Sequence, residues 1–284
     1  MSTEYGDLFL GMSNCCGAPV WNPSGDKEGL CKACGEWCEV EAEEEEEEEE
    51  EESEKKAKNI KNIILSFCDN TGNMVLPWAE AGYSCFIFDI QHPDGICESQ
   101  IHKNITTVGG NILNYQHASQ RHFNLKDVKI SFAFPPCTDL AVSGARYFKS
   151  KGLTKLIEAL QLVDACRRLC EETSAPWFLE NPVSTISSYW RKPDYVFDPC
   201  NYGGYLPKDY IGNSMMPAQD AYAKKTCLWT GGGFIMPLRK DVQPEKACEQ
   251  GSWLQKLGGK SAKTKSLRSA TPMGFAKAVY EFNK

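Results

Sequence analysis

Residues 62–90 read NIILSFCDNTGNMVLPWAEAGYSCFIFDI, and this stretch decides the fold. It begins with an apolar run, residues 62–67, which predicts a buried strand, and the turn-forming segment CDNTGN follows. MVLPWAEAGY, residues 74–83, predicts a short helix with glycine near its end. SCFIFDI, residues 84–90, predicts a second buried strand that closes at Asp89. Strand, helix and strand in this order predict a parallel βαβ unit.

The same alternation continues along the chain. KISFAF, residues 129–134, predicts a third buried strand, and PWFLENP, residues 176–182, predicts a fourth. Between them a helix from Leu153 to about Glu172 is predicted, because apolar residues recur at helical spacing, at positions 153, 156, 157, 160 and 163. We therefore expect an α/β fold with a mostly parallel sheet and helices on both faces.

Polar and reactive side chains follow these strands where each one ends. They are Thr71-Gly72-Asn73, Asp89, Cys137 and Glu180. Ligands of open α/β sheets bind outside the carboxyl ends of the strands, so we expect these residues to share one site. Asp89 is also typical of a turn at a strand end, and that alternative stays open.

The bulk composition bounds the class of protein. A chain of 284 residues with 42% hydrophobic residues can form one large domain and a small accessory module. Its N-terminus, MSTEYGDLFLGMSNCC, lacks the basic and apolar segments of a signal peptide, and no run of 18 apolar residues predicts a membrane span. We expect a cytoplasmic protein without a membrane partner, whose fourteen cysteines are reduced thiols, metal ligands or a nucleophile.

A run of glutamates separates two parts of the chain. Residues 39–54, EVEAEEEEEEEEEESE, contain thirteen glutamates, and removing their charges from the net −7 leaves +6. We expect residues 39–58 to form a disordered acidic linker, because like charges repel and the run has nothing to bury. The remainder is mildly basic, which allows a polyanionic partner without requiring one.

Cysteines near the N-terminus have the spacing of a metal site. The four candidate ligands are Cys15, Cys16, Cys31 and Cys34. The last two form a C-x-x-C-G turn, and the first two are adjacent and also followed by glycine. Four thiolates suit a structural Zn²⁺, which would supply the folding free energy that so short a module lacks. We predict a zinc-ribbon-like module over residues 1–38, with Cys38 as the substitute if adjacent cysteines cannot both bind; a reduced tail with incidental thiols is the alternative.

Cys137 stands directly behind two prolines in FPPCTDLAVSGARYF, residues 134–148. Prolines restrict the backbone and hold the thiol on a rigid corner. A thiolate that adds to carbon 6 of a pyrimidine makes carbon 5 nucleophilic, and the thiolate can leave again by β-elimination. Negative charge builds on the ring, and a carboxyl group with a raised pKa at ring nitrogen 3 would relieve it, a role for which Glu180 is the candidate. A buried structural thiol and a capping or paired carboxylate are the alternatives.

In combination, FPPCTDLAVSGARYF and the later FLENP, residues 178–182, resemble the catalytic Pro-Cys loop and the Glu-Asn-Val segment of cytosine-5 DNA methyltransferases. DNTGNMVLPWAEAGY, KKTCLW and RSATPMGFAKAV are similar to segments of the compact methyltransferase-like proteins of bacteriophages and prophages. The likeness covers roughly residues 60–284, and the order of the segments agrees. It implies a Rossmann-like S-adenosylmethionine-dependent methyltransferase fold over residues 59–284, which methylates carbon 5 of a flipped cytosine in DNA inside a bacterial cell.

The resemblance also implies roles for individual residues. Cys137 would be the nucleophile, Glu180 the acid at ring nitrogen 3, and Asn181 would hold the loop in place. Asp89 would bind the ribose of the cofactor. Asn111 would face the adenine of the cofactor, and a purely structural role is the alternative for this residue. The full cofactor set would be Phe67, Thr71, Gly72, Asn73, Asp89, Asn111, Pro135 and Thr271. The nucleic acid would contact Ser143, Arg146, Lys149 and Lys151.

The chain also departs from the family pattern. Ser66 and Asn70 stand where the cofactor loop usually has aspartate and glycine, Thr138 replaces glutamine, and no Gln-x-Arg-x-Arg segment occurs. These departures leave open a related enzyme that acts on another pyrimidine, on a free nucleotide or with a modified cofactor, and a non-catalytic adaptor. A zinc deaminase is set aside, because the chain lacks that class's H-x-E and its P-C-x-x-C motif.

Two segments complete the expected catalytic domain, which we expect to be a monomer. Residues 187–259 are rich in glycine, proline and aromatic residues, and they predict a small loop-built recognition region that reads a short or relaxed sequence. Residues 268–284 predict a C-terminal helix that returns to the core, with Thr271 as its N-cap and Pro272 as its first helical residue.

Overall fold

The computed structural model describes residues 9–13, 18–21, 28–41, 61–115, 123–212, 216–245 and 261–284. The chain divides into two compact units, Met1–Lys58 and Asn59–Lys284. In the described part, no helix combines the length and the apolar character needed to cross a membrane.

The first unit contains four short antiparallel strands that close into a barrel. They are β1 (Phe9–Ser13), β2 (Pro19–Trp21), β3 (Glu28–Cys31) and β4 (Trp37–Glu41). Residues 39–41, which were expected in the acidic linker, lie in β4, where Glu39 pairs with Glu28 and Val40 pairs with Ser13. The sequence WCEVE alternates like a strand and pairs along both edges, so the module extends to residue 41.

The second unit is built on a seven-stranded sheet of order β10-β11-β9-β8-β5-β6-β7. The strands are β5 (Ile63–Phe67), β6 (Ser84–Glu98), β7 (Ile105–Gly109), β8 (Val128–Ala133), β9 (Trp177–Pro182), β10 (Tyr195–Phe197) and β11 (Thr226–Gly231). β5 to β9 pair in parallel, whereas β11 is antiparallel to both β9 and β10. The expected α/β fold with a mostly parallel sheet is confirmed, and it is compatible with a Rossmann-like fold.

β5 lies beside β8, the middle strand of the seven. From β5 the chain proceeds through β6 to β7 on one side and returns on the other side as β8 and β9. The order therefore reverses between β5 and β8, and such a switch point opens a crevice at the carboxyl ends of the strands. β6 itself bends back, since Ile96, Cys97 and Glu98 pair with Val108, Thr107 and Thr106 in reverse order.

Helices cover both faces of the sheet. They are α1 (Leu76–Glu80), α2 (Phe148–Glu172), α3 (Ile186–Tyr189), α4 (Ala262–Ser269) and α5 (Met273–Asn283). On one face, Leu65 and Phe67 of β5 pack in a cluster with α2, whose contribution includes Val163. On the other face, Ile64 packs in a cluster with α1 and α5. The alternation of one strand's side chains between two clusters is the period-2 pattern of a fully buried strand.

α2 differs from its prediction at the N-terminal end. It begins at Phe148 and is interrupted at Gly152, where φ is +78° and ψ is 175°. Its buried face starts at Ala159. The side chains of Leu153 and Ile157, expected in the buried stripe, are 70% and 46% exposed, whereas Leu156 and Leu160 pack against the core cluster.

The range 187–259 is not a separate loop-built region in the described residues. β10 and β11 fall inside it and complete the central sheet, and Thr226 pairs with both Pro182 and Phe197. Burial explains why: Leu228 and Trp229 of β11 are fully buried in the two core clusters. A recognition surface in this range can therefore use only its remaining loops.

The C-terminal helix also starts later than expected. Residues 268 and 269 end α4, and α5 begins at Met273 with Pro272, whose ψ is an extended 131°, as its N-cap. Thr271 therefore precedes the cap and does not form it. The α5 amide of Gly274 donates instead to the Asp220 carboxylate at 2.9 Å, a partner distant in sequence.

Candidate active site

A buried aspartate that the sequence analysis did not single out, Asp69, organises the loop after β5. Its Oδ1 accepts hydrogen bonds from the Thr71 amide (3.0 Å), the Thr71 hydroxyl (3.1 Å) and the Gly72 amide (2.9 Å). Its Oδ2 accepts from the Ser66 hydroxyl at 2.8 Å, so the serine that departs from the family pattern is a partner of Asp69. An Asp followed two residues later by Thr-Gly, directly after an apolar strand, is the sequence signal of such a turn.

The same loop contacts the segment before α5. The Asn73 side-chain amide donates to the Thr271 carbonyl at 3.1 Å, and Thr271 is buried. Four expected cofactor residues, Thr71, Gly72, Asn73 and Thr271, therefore lie together at the carboxyl end of β5. This loop lies at the end of the strand that borders the switch point.

Phe67, also expected at the cofactor, is placed differently. Its side chain is 1% exposed and packs against Phe88, with ring centroids 5.2 Å apart. Its carbonyl accepts a hydrogen bond from the Phe134 amide at 2.9 Å. Both its side chain and its carbonyl are engaged in the core, so Phe67 fixes the strand ends and does not present its ring to a ligand.

Asp89 is half-buried at the point where β6 leaves its pairing with β5. Its Oδ1 accepts from the backbone amide of Gln91 (2.8 Å) and from the Gln91 side chain (3.2 Å), whereas Oδ2 accepts no bond from the described residues. Asp89 is thus a turn residue through one oxygen and available to a ligand through the other. The bend that follows returns to the β5 loop, since His92 Nε2 lies 3.0 Å from the Asp69 carbonyl oxygen.

Asn111 acts as a cap. Its side-chain oxygen accepts from the Leu113 amide at 3.0 Å and begins the 3₁₀ turn Ile112–Asn114. That oxygen is the acceptor that would face an adenine amine, and it is already bonded. Asn111 thus has a structural role as a cap, and because the oxygen has a second lone pair its adenine role stays a prediction.

Backbone and side-chain bonds fix the Pro-Cys loop. The Asn181 side chain donates to the Pro135 carbonyl at 2.9 Å and so joins β9 to the loop. The Cys137 carbonyl accepts from the amides of Leu140 (3.0 Å) and Ala141 (2.9 Å), which makes a tight turn directly after the thiol. The next residues bond to the segment after β9, with Val142 N to Val183 O at 2.9 Å and Thr185 N to Leu140 O at 3.0 Å.

Glu180 lies close enough to Cys137 to affect the ionisation of the thiol. Burial raises the pKa of the Cys137 thiol, and the nearby Glu180 carboxylate raises it further. Lys224 and Arg268 act in the opposite direction and lower that pKa. Burial also raises the pKa of Glu180, and Lys224 partly offsets the effect. The site therefore pairs a thiol and a carboxyl group that both favour their neutral forms, beside two cations.

Glu180, Lys224 and Thr271 line one narrow cleft with the rings of Phe134, Phe197 and Phe275. Its free volume is about 10 Å³, room for about one water molecule, so a base can enter only if the cleft opens. The Lys224 ammonium donates to the Arg268 carbonyl at 3.1 Å, which joins β11 to the end of α4. The sequence analysis missed Lys224, since only the antiparallel pairing of β11 with β9 brings it beside Glu180.

The residues expected to contact nucleic acid follow the thiol in the 3₁₀ turn Val142–Tyr147 and the start of α2. Ser143, Arg146 and Lys149 are exposed, and the Arg146 guanidinium lies 4.7 Å from the centre of the Tyr147 ring. Lys151 is engaged within the protein: it forms an ion pair with Asp139 at 2.6 Å and donates to the Thr138 carbonyl at 2.8 Å. Lys151 therefore helps to shape the loop.

The expected zinc site lies only partly within the described residues, since Cys15 and Cys16 fall outside them. Cys31 and Cys34 form the expected tight turn, in which the Gly35 amide donates to the Cys31 carbonyl at 2.9 Å and Gly35 has a φ of +72°. The part of the chain that is described contains no group of three or more metal-binding side chains.

A scan against protein-family models matches no family, and a search of curated proteins finds no relative of this chain. The function is therefore argued from the chemistry of the site.

Proposed function

We propose that the protein transfers a methyl group from S-adenosylmethionine to carbon 5 of cytosine in DNA. One observation carries the proposal: Cys137 comes shortly after β8, Glu180 lies in the adjacent parallel strand β9, and the carboxylate is near enough to act on the thiol. The resemblance of the Pro-Cys loop and of FLENP to cytosine-5 DNA methyltransferases supports the same chemistry.

The thiol of Cys137 would add to carbon 6 of the cytosine ring. Burial opposes its ionisation, whereas Lys224 and Arg268 favour it. The thiolate is the reactive form, so these two cations are the groups that make attack possible in a buried site. The turn that follows Cys137 and the prolines before it keep the sulfur on a fixed path.

Glu180 would act as the acid at ring nitrogen 3. Its raised pKa keeps a larger fraction of the carboxyl group protonated near neutral pH than an exposed glutamate would have. A protonated carboxyl can donate to ring nitrogen 3 as negative charge builds on the ring. Lys224 would then stabilise the carboxylate after the proton has moved.

The residues around the switch point fit a cofactor that carries a ribose and an amino-acid group. The Oδ2 of Asp89, which accepts no bond from the described residues, suits ribose hydroxyls. Asp69 fixes the loop Thr71-Gly72-Asn73 at the end of β5, the strand that pairs with β6. S-adenosylmethionine bound there would supply an electrophilic methyl group. Pro135 and Thr271 border the same region through their bonds to Asn181 and Asn73.

We propose a structural role for zinc in the first unit. The Cys31–Cys34 turn has the backbone geometry of a thiolate-bearing knuckle, and Cys15 with Cys16, or Cys38, would complete the ligand set. The metal would stabilise four short strands and would take no part in catalysis.

Methyl transfer can be tested directly. Full-length protein, S-adenosylmethionine with a labelled methyl group, and cytosine-containing DNA should give labelled 5-methylcytosine. Cys137→Ser should abolish transfer, whereas Cys97→Ser, which alters a half-buried thiol outside the site, should not. Binding of DNA without any transfer by the unaltered protein would favour the adaptor over the enzyme.

A further inference from the structure

A second groove, of about 330 Å³, opens beside the Pro-Cys loop. Its walls are the start of α2 on one side and the segment after β9, with α3, on the other. The volume of this groove lies within the range of roughly 300–1,000 Å³ that is typical of ligand pockets. The cleft at Glu180 has far less free volume, so this groove is the more open of the two.

The groove combines cations with uncovered apolar surface. Lys149, Lys151 and Lys155 line it with Asp139. Lys151 pairs with Asp139 at 2.6 Å and Lys155 with Glu158 at 2.7 Å, so Lys149 carries the groove's unbalanced positive charge. Leu153 and Tyr189, on opposite walls, are 70% and 61% exposed. Leu153 directly follows the break of α2 at Gly152. Positive charge next to aromatic and apolar faces is the surface with which proteins bind single-stranded nucleic acid.

Bonds within the Pro-Cys loop place the groove next to the nucleophile. Lys151 donates to the carbonyl of Thr138, the residue after Cys137, and its ion pair with Asp139 holds the wall in place. On the facing wall, the Thr185 hydroxyl is buried and has no partner among the described residues. The groove therefore has a rigid wall beside the thiol, and the Thr185 hydroxyl lies beneath the surface of the facing wall.

We propose that this groove holds the unpaired nucleotide next to the target cytosine, so that the substrate is single-stranded DNA; the proposal rests on the proposed function. The base would lie against Tyr189 and Leu153, and its phosphate near Lys149. Only an unstacked base can present its face to Tyr189. A nucleotide that neighbours the target cytosine and is still paired in a duplex therefore cannot bind in the groove.

The test measures binding by fluorescence anisotropy of a labelled single-stranded oligonucleotide to full-length protein without cofactor. Tyr189→Ala should weaken binding about 5- to 160-fold, the loss expected for one base–aromatic stack of about 1–3 kcal/mol. Tyr189→Phe should bind like the unaltered protein because it keeps the ring. The matched control is Tyr195→Ala, an exposed tyrosine on β10 that lies outside the groove.

A second variant tests the electrostatic part. Lys149→Ala should reduce the dependence of log affinity on log salt concentration by about 0.7, as for one lost phosphate contact on a single strand. Equal binding by Tyr189→Ala and the unaltered protein would overturn the proposal. So would tighter binding of duplex, or of RNA of the same sequence, than of single-stranded DNA.

Failure here can be told apart from failure of the proposed function. If Tyr189→Ala leaves binding unchanged while Cys137 still methylates cytosine, the groove assignment alone is wrong. If single-stranded binding depends on Tyr189 but no methyl transfer occurs, the assigned chemistry is wrong and the groove assignment stands.

Discussion

Replacing Asp69 by alanine should destabilise the second unit and weaken cofactor binding together. The carboxylate accepts four hydrogen bonds within one loop, from Ser66, from the amide and hydroxyl of Thr71, and from the Gly72 amide. Asp69 is 4% exposed, so water cannot readily replace it.

The magnitude follows from what alanine leaves behind. Two backbone amides and two hydroxyls lose their acceptor, and a buried donor without a partner costs about 1–3 kcal/mol. The hydroxyls can rotate toward other acceptors, so the two amides dominate, and we expect a loss of about 3–5 kcal/mol in the free energy of unfolding. Asp69→Asn keeps Oδ1 and can donate to Ser66 through its amide, so it should lose only about 1 kcal/mol.

Urea unfolding monitored by tryptophan fluorescence measures the stability, and calorimetric titration measures the binding of S-adenosylmethionine. The order of stability should be unaltered protein, then Asp69→Asn, then Asp69→Ala, and binding should weaken in the same order. Asp209→Ala, at an exposed site, is the control and should change stability by less than about 0.5 kcal/mol. The reasoning is refuted if Asp69→Ala is as stable as this control.

Three further outcomes are expected. Glu180→Gln should abolish methyl transfer, because glutamine cannot protonate ring nitrogen 3. Burial raises the folded-state pKa of Glu180, so ionisation of this carboxyl group lowers the free energy of unfolding as pH rises through that pKa. Glu180→Gln should therefore be more stable than the unaltered protein at pH 7, and the difference in stability should disappear near pH 4. A gap that persists at pH 4 would contradict this cause. Lys224→Met should shift the pH dependence of Cys137 alkylation by iodoacetamide to higher pH, because Lys224 lowers the pKa of the thiol. Lys225→Met, at the neighbouring exposed site, is the control and should leave that pH dependence unchanged. An unchanged pH dependence for Lys224→Met would exclude Lys224 as the activating cation. The double variant Cys31→Ser, Cys34→Ser should release one zinc ion per chain, measured by atomic absorption. Methyl transfer to short DNA should persist in this variant. Loss of methyl transfer together with the zinc ion would show that the two units act together.

The sequence was sufficient for the elements that form the parallel part of the sheet. β5, the first half of β6, β8 and β9 are continuous apolar runs, and a strand buried on both faces needs that composition. The turn residues after each run placed Asp89, Cys137 and Glu180 at the same edge, since parallel strands share their carboxyl ends.

β10 and β11 were missed for a local reason. β10 has only three residues, and β11 is followed by glycines, so both lie among residues that are typical of loops. Their pairing with β9 comes from burial of Leu228 and Trp229 in the core, which no local pattern reveals.

Lys224 and Asp220 were missed for a tertiary reason. Each acts on a residue more than forty positions away in the sequence, Lys224 on Glu180 and Asp220 on the start of α5. Asp69, in contrast, is predictable from the local Asp-x-Thr-Gly turn. Comparison with the glycine-rich loop of cytosine-5 DNA methyltransferases marks only Ser66 and Asn70 as departures and does not indicate Asp69.

Covalent trapping tests the central claim most directly. DNA that carries 5-fluorocytosine cannot release the enzyme after methyl transfer, because β-elimination would have to remove fluorine in place of a proton. In the presence of S-adenosylmethionine the unaltered protein should form a complex with this DNA that survives denaturation, and peptide mapping should place the bond on Cys137. The account is contradicted if no such complex forms, or if Cys137→Ser forms it equally well.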